Sequence, residues 1–312
     1  MIKVLENKED QLKQIYALLQ KYQPYVPTAS SYEAFMRHYT LLMNHERVRM
    51  LTAYQNERIV ALFSPMSLEG MPMGMIQTVV SEECPRSLID DLLTQSIDYL
   101  KEYHLSIIQI VARDLDPPNY LQSIEDQGFI LNDQSFLSEY SCHQTIPQRF
   151  LDKKDYFHAH IQGQCLTLDE LKKYDPEWKR NWYEFEQSTI VDVPSEVPMA
   201  KMRFEDWKDT VFTLITPDNC LLFLVINHQI VGMINAQKSD ELYFIEFTGV
   251  ASEYRRQGFS SLLKVELIHH AQKQGITAIR TMNHQANPMF NLNQAFGFQL
   301  LETMKSYTLN LK

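Results

Sequence analysis

The densest chemical signal in the chain is the stretch Glu246-Phe247-Thr248-Gly249-Val250-Ala251-Ser252-Glu253-Tyr254-Arg255-Arg256-Gln257-Gly258-Phe259-Ser260. An apolar, strand-like run ends near Val250, a short turn follows, and a helical pattern opens around Gly258. A helix start carries N–H groups without intrahelical partners and a partial positive charge, and both suit a phosphate. Glycine at 258 lets a ligand approach the backbone closely. Ser260 is small and adds a hydroxyl donor. Arg255 and Arg256 place cationic donors beside the turn. The same residues also read as an ordinary strand–turn–helix with a solvated basic turn.

The elements that position this stretch belong to a longer pattern. Gly128-Phe129 and Gly297-Phe298 lie 169 residues apart, and each follows a helical stretch and precedes strand-like residues. The same offset sets a helix near Leu88–Tyr103 against one near Gln257–Lys273. Leu88, Leu92, Leu93, Ile97 and Leu100 form one apolar stripe; Phe259, Leu262, Leu263, Leu267 and Ala271 form the other. Strand-like runs follow at Ser106–Val111 and Ile276–Thr281.

The first half reads as a helix over about Lys8–Gln20, strands near Val48–Tyr54, Ile59–Pro65 and Met75–Val80, the long helix, and the Ser106–Val111 strand. A short helix near Pro118–Asp126 and a terminal strand pair around Ile130–Ser141 close it. The second half has helices in Leu168–Gln187 and strands near Leu221–Ile226, Ile230–Gln237 and Glu241–Val250. Gln144–Lys154, with Pro147, is the expected junction, so the domains are 1–145 and 146–312. Strands alternating with helices predict a mixed sheet covered by helices, with the two strands around each long helix parallel.

The length of 312 residues suits two such domains. With 29 Lys and Arg against 39 Asp and Glu, the net charge of −10 argues against a nucleic-acid backbone as partner. It fits a cationic substrate. No apolar run is long enough to span a membrane, and the start of the chain lacks a signal-peptide core. Cys84, Cys142, Cys165 and Cys220 are widely spaced and read as reduced thiols in a cytoplasm. His158 and His160 alternate as in a strand, and His269-His270 sit on a helix. None has ligands at zinc spacing, so no metal is expected. Met71-Pro72-Met73-Gly74-Met75 reads as a turn plus core.

Arg255-Arg256-Gln257-Gly258-Phe259-Ser260 resembles the Arg/Gln-x-x-Gly-x-Gly/Ala signature of the GNAT N-acetyltransferases. Downstream, Thr281-Met282-Asn283, Asn287-Pro288-Met289 and Asn293-Gln294-Ala295-Phe296-Gly297-Phe298 resemble the family's second cofactor segment. The likeness is closest to tandem GNAT proteins, the group that includes mycothiol synthase. It implies an α/β (α+β) fold of two GNAT-like domains, each a mixed, mostly antiparallel, splayed sheet flanked by helices. It implies acetyl-CoA as cosubstrate, with the pantetheine arm between the strand ending at Val250 and the strand ending near Asn283. The backbone of Val250, Ala251 and Ser252 would bond that arm. The N–H groups of Arg256, Gln257, Gly258, Phe259, Ser260 and Ser261 would hold the pyrophosphate, beside Arg255. Asn283 and Asn287 would contact the cofactor from the other side. The N–H near Val250 would polarise the thioester carbonyl.

Acyl transfer to a primary amine needs a base. Glu246 is the candidate, a carboxylate in an apolar strand that period-two alternation groups with Thr248 and Val250. A surface carboxylate or a partner for an Arg is the alternative. Asn293 stands where many family members have a tyrosine acid four residues before the Gly of Gly-Phe; Tyr254 and Tyr307 are possible substitutes. Asp192-Val193-Pro194 resembles a turn near the substrate groove. The acceptor, a small molecule or a peptide amine, is not specified by these residues, nor is the choice between monomer and homodimer. A non-catalytic acyl-CoA sensor is the rival reading. In the first half, the offset of 169 puts Ile89 opposite Gly258 and Asp91 opposite Ser260, with Asp90 and Asp91 at the helix start. That half is expected not to bind acetyl-CoA.

Overall fold

The computed structural model describes residues 1–6, 8–25, 31–67, 72–192, 201–215 and 218–311. In chain order the elements of the first half are β1 (Ile2–Val4), α1 (Glu9–Tyr22), α2 (Tyr32–Met43), β2 (Leu51–Gln55), β3 (Arg58–Ser67) and β4 (Met73–Val80). Then come α3 (Arg86–Lys101), β5 (Ile107–Arg113), α4 (Pro118–Asp126) and β6 (Ile130–Ser141). The second half holds α5 (Gln148–His160), β7 (Gly163–Thr167), α6 (Leu168–Tyr174), α7 (Trp178–Thr189), α8 (Phe204–Leu214), β8 (Cys220–Ile226) and β9 (Gln229–Ser239). It ends with β10 (Leu242–Val250), α9 (Phe259–Lys273), β11 (Ala278–His284), α10 (Pro288–Phe296) and β12 (Gln299–Asn310).

The chain forms two compact units, Met1–Ser135 with Glu302–Lys312, and Phe136–Leu301. Strands of the first unit run in the order β1-β2-β3-β4-β5-β12, and those of the second β7-β8-β9-β10-β11-β6. The two orders are equivalent. In each, the two strands joined by a long helix pair in parallel, β4 with β5 and β10 with β11. A helical crossover requires this, because a tight turn cannot join parallel neighbours. The sixth strand of each unit comes from the end of the other half of the sequence: Met304–Asn310 pairs antiparallel with Arg113–Ile107 in the first unit. β6 is one continuous strand, where the sequence had suggested a terminal pair.

In the second unit two cores lie on opposite faces of the sheet. Tyr243, Ile245 and Val250 pack with Leu262, Leu263, Val265 and Leu267 of α9. Phe247 and Met233 pack with Trp182, Phe185, Trp207 and Phe223. All seven residues of β8 are buried, as a strand covered on both faces requires.

α5 is a correction to the expected junction, and it places His158 and His160 on a helix rather than a strand. It packs across α9, with Phe157 edge-to-face on Phe259 and the Lys154 ammonium 3.0 Å from the Glu266 carboxylate. α9 is therefore buried beyond its single predicted stripe, at Lys264, Val265 and Ile268 as well.

In the first unit α3 begins at Arg86 with Pro85 as N-cap and has no acid in its first turn. Asp90 and Asp91 thus lie in the second turn and do not satisfy the helix start, contrary to the ungapped comparison.

Candidate active site

β10 and β11 pair from Leu242↔Ala278 to Ile245↔Thr281 and then part. Past that point β10 runs on to Val250 and β11 to His284 with no mutual pair, so the strands splay and leave a slot. A β-bulge at Glu246 shifts the register against β9: Ile245 faces Ala236, whereas Phe247 faces Asn235. A bulge inserts an unpaired residue and sharpens the local twist. It also moves Thr248 and Val250 onto the face of Tyr243 and Ile245, so the simple alternation grouping Glu246 with them fails.

Backbone polarity follows from the same ladder. Ala251 donates its N–H to the Val231 carbonyl at 2.9 Å. Alternate residues of an antiparallel strand point their N–H and C=O groups away from that partner. Val250 and Thr248 are those residues, and they face the side that β11 has left. Ala251, in contrast, spends its N–H on β9.

After Val250 the chain makes a 3₁₀ turn over Ser252–Tyr254, and Arg255 locks it. The Arg255 guanidinium donates to the Val250 carbonyl at 2.9 Å and to the Asp192 carboxylate at 2.6 Å. Its side chain is therefore committed to the turn, not free for a phosphate. Arg256 (φ +62°) and Gly258 (φ +92°) both adopt the left-handed conformation. Gly258 is the N-cap of α9, and its carbonyl accepts from Ser261 N–H at 3.0 Å and Leu262 N–H at 3.1 Å. The Ser261 N–H is thus spent within the helix. Among the described residues, the N–H groups of Arg256, Gln257, Gly258, Phe259 and Ser260 have no backbone acceptor. Arg256, Gly258, Phe259 and Ser260 line a cleft of about 260 Å³, together with Lys153, Val250, Tyr254, Arg255, Ser261 and Leu292. Lys153, on α5, reaches over Gly258; no spacing within the motif could have pointed to it.

On the β11 side, Asn283 accepts a short hydrogen bond from the Asn293 amide. Asn293 is 1% exposed, and its own carbonyl oxygen has no partner. Asn287 caps α10 by accepting from Met289 N–H at 2.9 Å, which commits its oxygen. Tyr307 is buried in the first unit's core, which removes it as an acid for this site. Of the expected turn at 192–194, only Asp192 is among the described residues.

Glu246 meets solvent at the bulge, yet the protein packed around it raises its carboxyl pKa, with no opposing cation. Among the described residues no group of His, Cys, Asp or Glu is placed to hold a metal, and no helix is long and apolar enough to cross a membrane.

Residues 177–298 match the profile of the Acetyltransferase (GNAT) family. A GCN5-related N-acetyltransferase from Sphaerobacter thermophilus superposes with a TM-score of 0.72 at 14% identity, covering 99% of this chain and 95% of that one. A tandem GNAT protein from the clavulanic acid biosynthesis pathway gives a TM-score of 0.72 at 12% identity, covering 99% and 98%. A GNAT-family acetyltransferase from Colwellia psychrerythraea gives 0.62 at 14%, covering 99% and 100%. At these identities the likeness is one of fold. No curated protein matches the sequence significantly. The second unit carries a GNAT acetyltransferase domain, the domain of an acyltransferase. The whole chain has the fold of the tandem GNAT proteins.

Proposed function

We propose that the second unit moves an acetyl group from acetyl-CoA to a primary amine on a small molecule or peptide. The observation that carries this reading is the run of N–H groups without backbone acceptors at Arg256–Ser260, at the mouth of the β10–β11 slot. An anion with several oxygens satisfies such a run, and the pyrophosphate of CoA is one. Acetyl-CoA supplies the activated thioester. Arg256 and Lys153 add the positive charge that Arg255 has committed elsewhere. The Val250 N–H, facing the slot, bonds the pantetheine arm or polarises the acyl carbonyl, and Ser252 extends that edge.

Glu246 takes the proton from the attacking amine. Its raised pKa makes it a stronger base than an ordinary carboxylate. Asn283, fixed by Asn293, and the amide nitrogen of Asn287 are the polar groups on the β11 side. Asn293 is a buried positioning residue and cannot act as an acid; solvent or Tyr254 protonates the leaving thiolate. The halves 1–145 and 146–312 are a duplication whose terminal strands have been exchanged. All four cysteines are unpaired, and burial pushes every thiol upward, which suits a reducing cytoplasm. The excess of acidic residues favours an amine over a nucleic acid as partner.

The test is a calorimetric titration with acetyl-CoA, followed by thiol release on a panel of amines. Binding with turnover supports the proposal. Binding without thiol release on any amine favours a non-catalytic sensor, the reading that the missing tyrosine at Asn293 recommends. No binding overturns both.

A further inference from the structure

One cation of the anion site comes from α5, a helix outside the strand–turn–helix motif. The Cδ, Cε and Nζ atoms of Lys153 lie 3.5–4.0 Å from where a Cβ on Gly258 would stand. Its ammonium is 5.8 Å from the centre of the Phe150 ring, a weak contact that leaves its position to the helix that carries it.

α5 presents two rows of side chains to the helices beneath it. Phe150, Lys153 and Phe157 share one row by their three- and four-residue spacing, and Lys154 and His158 form the next. The first row lies at the anion site. Phe150 stacks on Phe296 of α10 with ring centres 3.7 Å apart, and Phe157 meets Phe259, in the first turn of α9, edge-to-face at 5.9 Å. The second row lies two turns further along α9, at Glu266. The Lys154 ammonium is 3.0 Å from Glu266 Oε1, and His158 Nε2 is 3.7 Å from the same oxygen. Lys154 also lies 3.1 Å from His269 Nδ1. An ammonium only donates, so that ring nitrogen accepts.

Glu266 thus receives both members of the second row on one oxygen. Its side chain is 20% exposed and that of Lys154 21%, so the pair is partly desolvated and stronger than a surface pair. The aromatic row alone leaves α5 free to roll about its axis. The charged row, further round the helix, stops that roll. Rolling is the motion that displaces Lys153, because its side chain stands off the axis.

We propose that Glu266 is a positioning residue for the cofactor: through Lys154 and His158 it fixes α5, and α5 holds Lys153 against the phosphates of acetyl-CoA at Gly258. This rests on the acyl-transfer reading of the same site. The sign of the effect separates positioning from plain electrostatics. Removing a carboxylate from the neighbourhood of an anion strengthens anion binding by charge alone. Positioning through Lys153 weakens it.

The experiment titrates acetyl-CoA calorimetrically into the natural full-length chain, Glu266→Gln, Lys153→Met and the double variant, each at low and high salt. Each single substitution is expected to weaken binding at least about fivefold, the share of one partly exposed charge. In the double variant the second substitution should add less than about twofold, because both remove the same contact. The losses should shrink at high salt, which screens the ammonium. Lys154→Met, which cuts the pair from the α5 side, should behave as Glu266→Gln. Binding by Glu266→Gln as tight as that of the natural chain, or tighter, overturns the proposal, as do losses that multiply in the double variant. If Glu266→Gln and Lys154→Met both fail to fold by circular dichroism, the pair serves the fold and the proposal falls. Unchanged affinity in Lys153→Met also overturns it and leaves acyl transfer standing; no acetyl-CoA binding by the natural chain removes that reading as well.

Discussion

Replacing Gly258 by aspartate addresses the anion site most directly. Gly258 holds φ at +92°, where any residue with a Cβ is strained. That conformation costs about 1–2 kcal/mol for a non-glycine residue. Space is not the obstacle, because the atom nearest to a new Cβ is Lys153 Cδ at 3.5 Å, an ordinary contact. Gly258→Ala therefore measures the strain and the lost close approach, and Gly258→Asp adds the charge. The new carboxylate would start from a Cβ 3.9 Å from the Lys153 ammonium and would capture it. It would also repel the phosphate. A unit charge about 5 Å from another costs about 3 kcal/mol at an effective dielectric near 20, and about 0.8 kcal/mol in bulk water. The cleft is open to solvent, so the repulsion lies between these limits. Together with the loss of Lys153 it exceeds the ~1.4 kcal/mol that corresponds to tenfold. Calorimetry should show acetyl-CoA affinity reduced more than about tenfold in Gly258→Asp and less in Gly258→Ala, with both variants folded by circular dichroism. An unchanged Kd in the aspartate variant would refute the site assignment.

Glu246→Gln should lower kcat by roughly 10²–10⁴ and leave acetyl-CoA affinity unchanged. In the natural enzyme kcat should fall as pH drops through the raised carboxyl pKa, because the protonated acid cannot accept the amine's proton; a flat acid limb would show that the proton leaves elsewhere. Lys264 is 1% exposed over the Phe298 ring, and burial pushes its pKa down to about 7. The unfolded chain keeps that proton up to about pH 10.4, so between roughly 10 and 7 it binds more protons than the folded one, and stability falls as pH drops. Lys264→Met should raise Tm, most at pH 7 and below, and flatten Tm against pH over that window; an unchanged slope would show Lys264 to be solvated. Titration of the whole chain should give one acetyl-CoA per chain, and a stoichiometry of two would overturn the assignment of binding to the second unit alone.

What could be read from the sequence follows from where the forces are local. The turn from Val250 to Gly258 was legible because a left-handed glycine, a helix start and flanking arginines are short-range features. The long helices were legible through their apolar stripes. α5 was not, because only Phe150 and Phe157, seven residues apart, are buried in it, and most of its other residues are polar or charged. The bulge at Glu246 carries no glycine to mark it and appears only in the register against β9. The strand exchange was hidden because β6 and β12 both follow Gly-Phe and both suit either sheet. Lys153 lies outside the motif, on a helix brought to it by tertiary packing. Arg255 illustrates the reverse failure: the motif supplied the right residue type, and Asp192, 63 positions earlier, took its charge.

The two units show how one backbone device yields either a pocket or a core. In the first unit β4 and β5 also pair only as far as Ile76↔Ile110 and then part. Here, however, the register between β3 and β4 runs unbroken from Ala61↔Val80 to Ser67↔Gly74, with no bulge. The parted strand is satisfied from within. The Thr78 hydroxyl and the Tyr120 hydroxyl lie 2.6 Å apart, and the Thr78 carbonyl accepts from the Gln23 amide at 2.6 Å. Tyr120 is fully buried, so its ring and hydroxyl occupy volume beside the divergent strand. At the start of α3, Pro85 stands before the first helical residue in extended conformation, and Arg86 is held by Asp90 and Asp126. Without a left-handed residue in that turn, the N–H groups are not drawn toward one point. Splaying the sheet is thus not enough to make a site. What sets the second unit's slot apart is the left-handed backbone at Arg256 and Gly258, which gathers the N–H groups of that turn beside it, whereas the extended Pro85 leaves those at the start of α3 spread along the helix end.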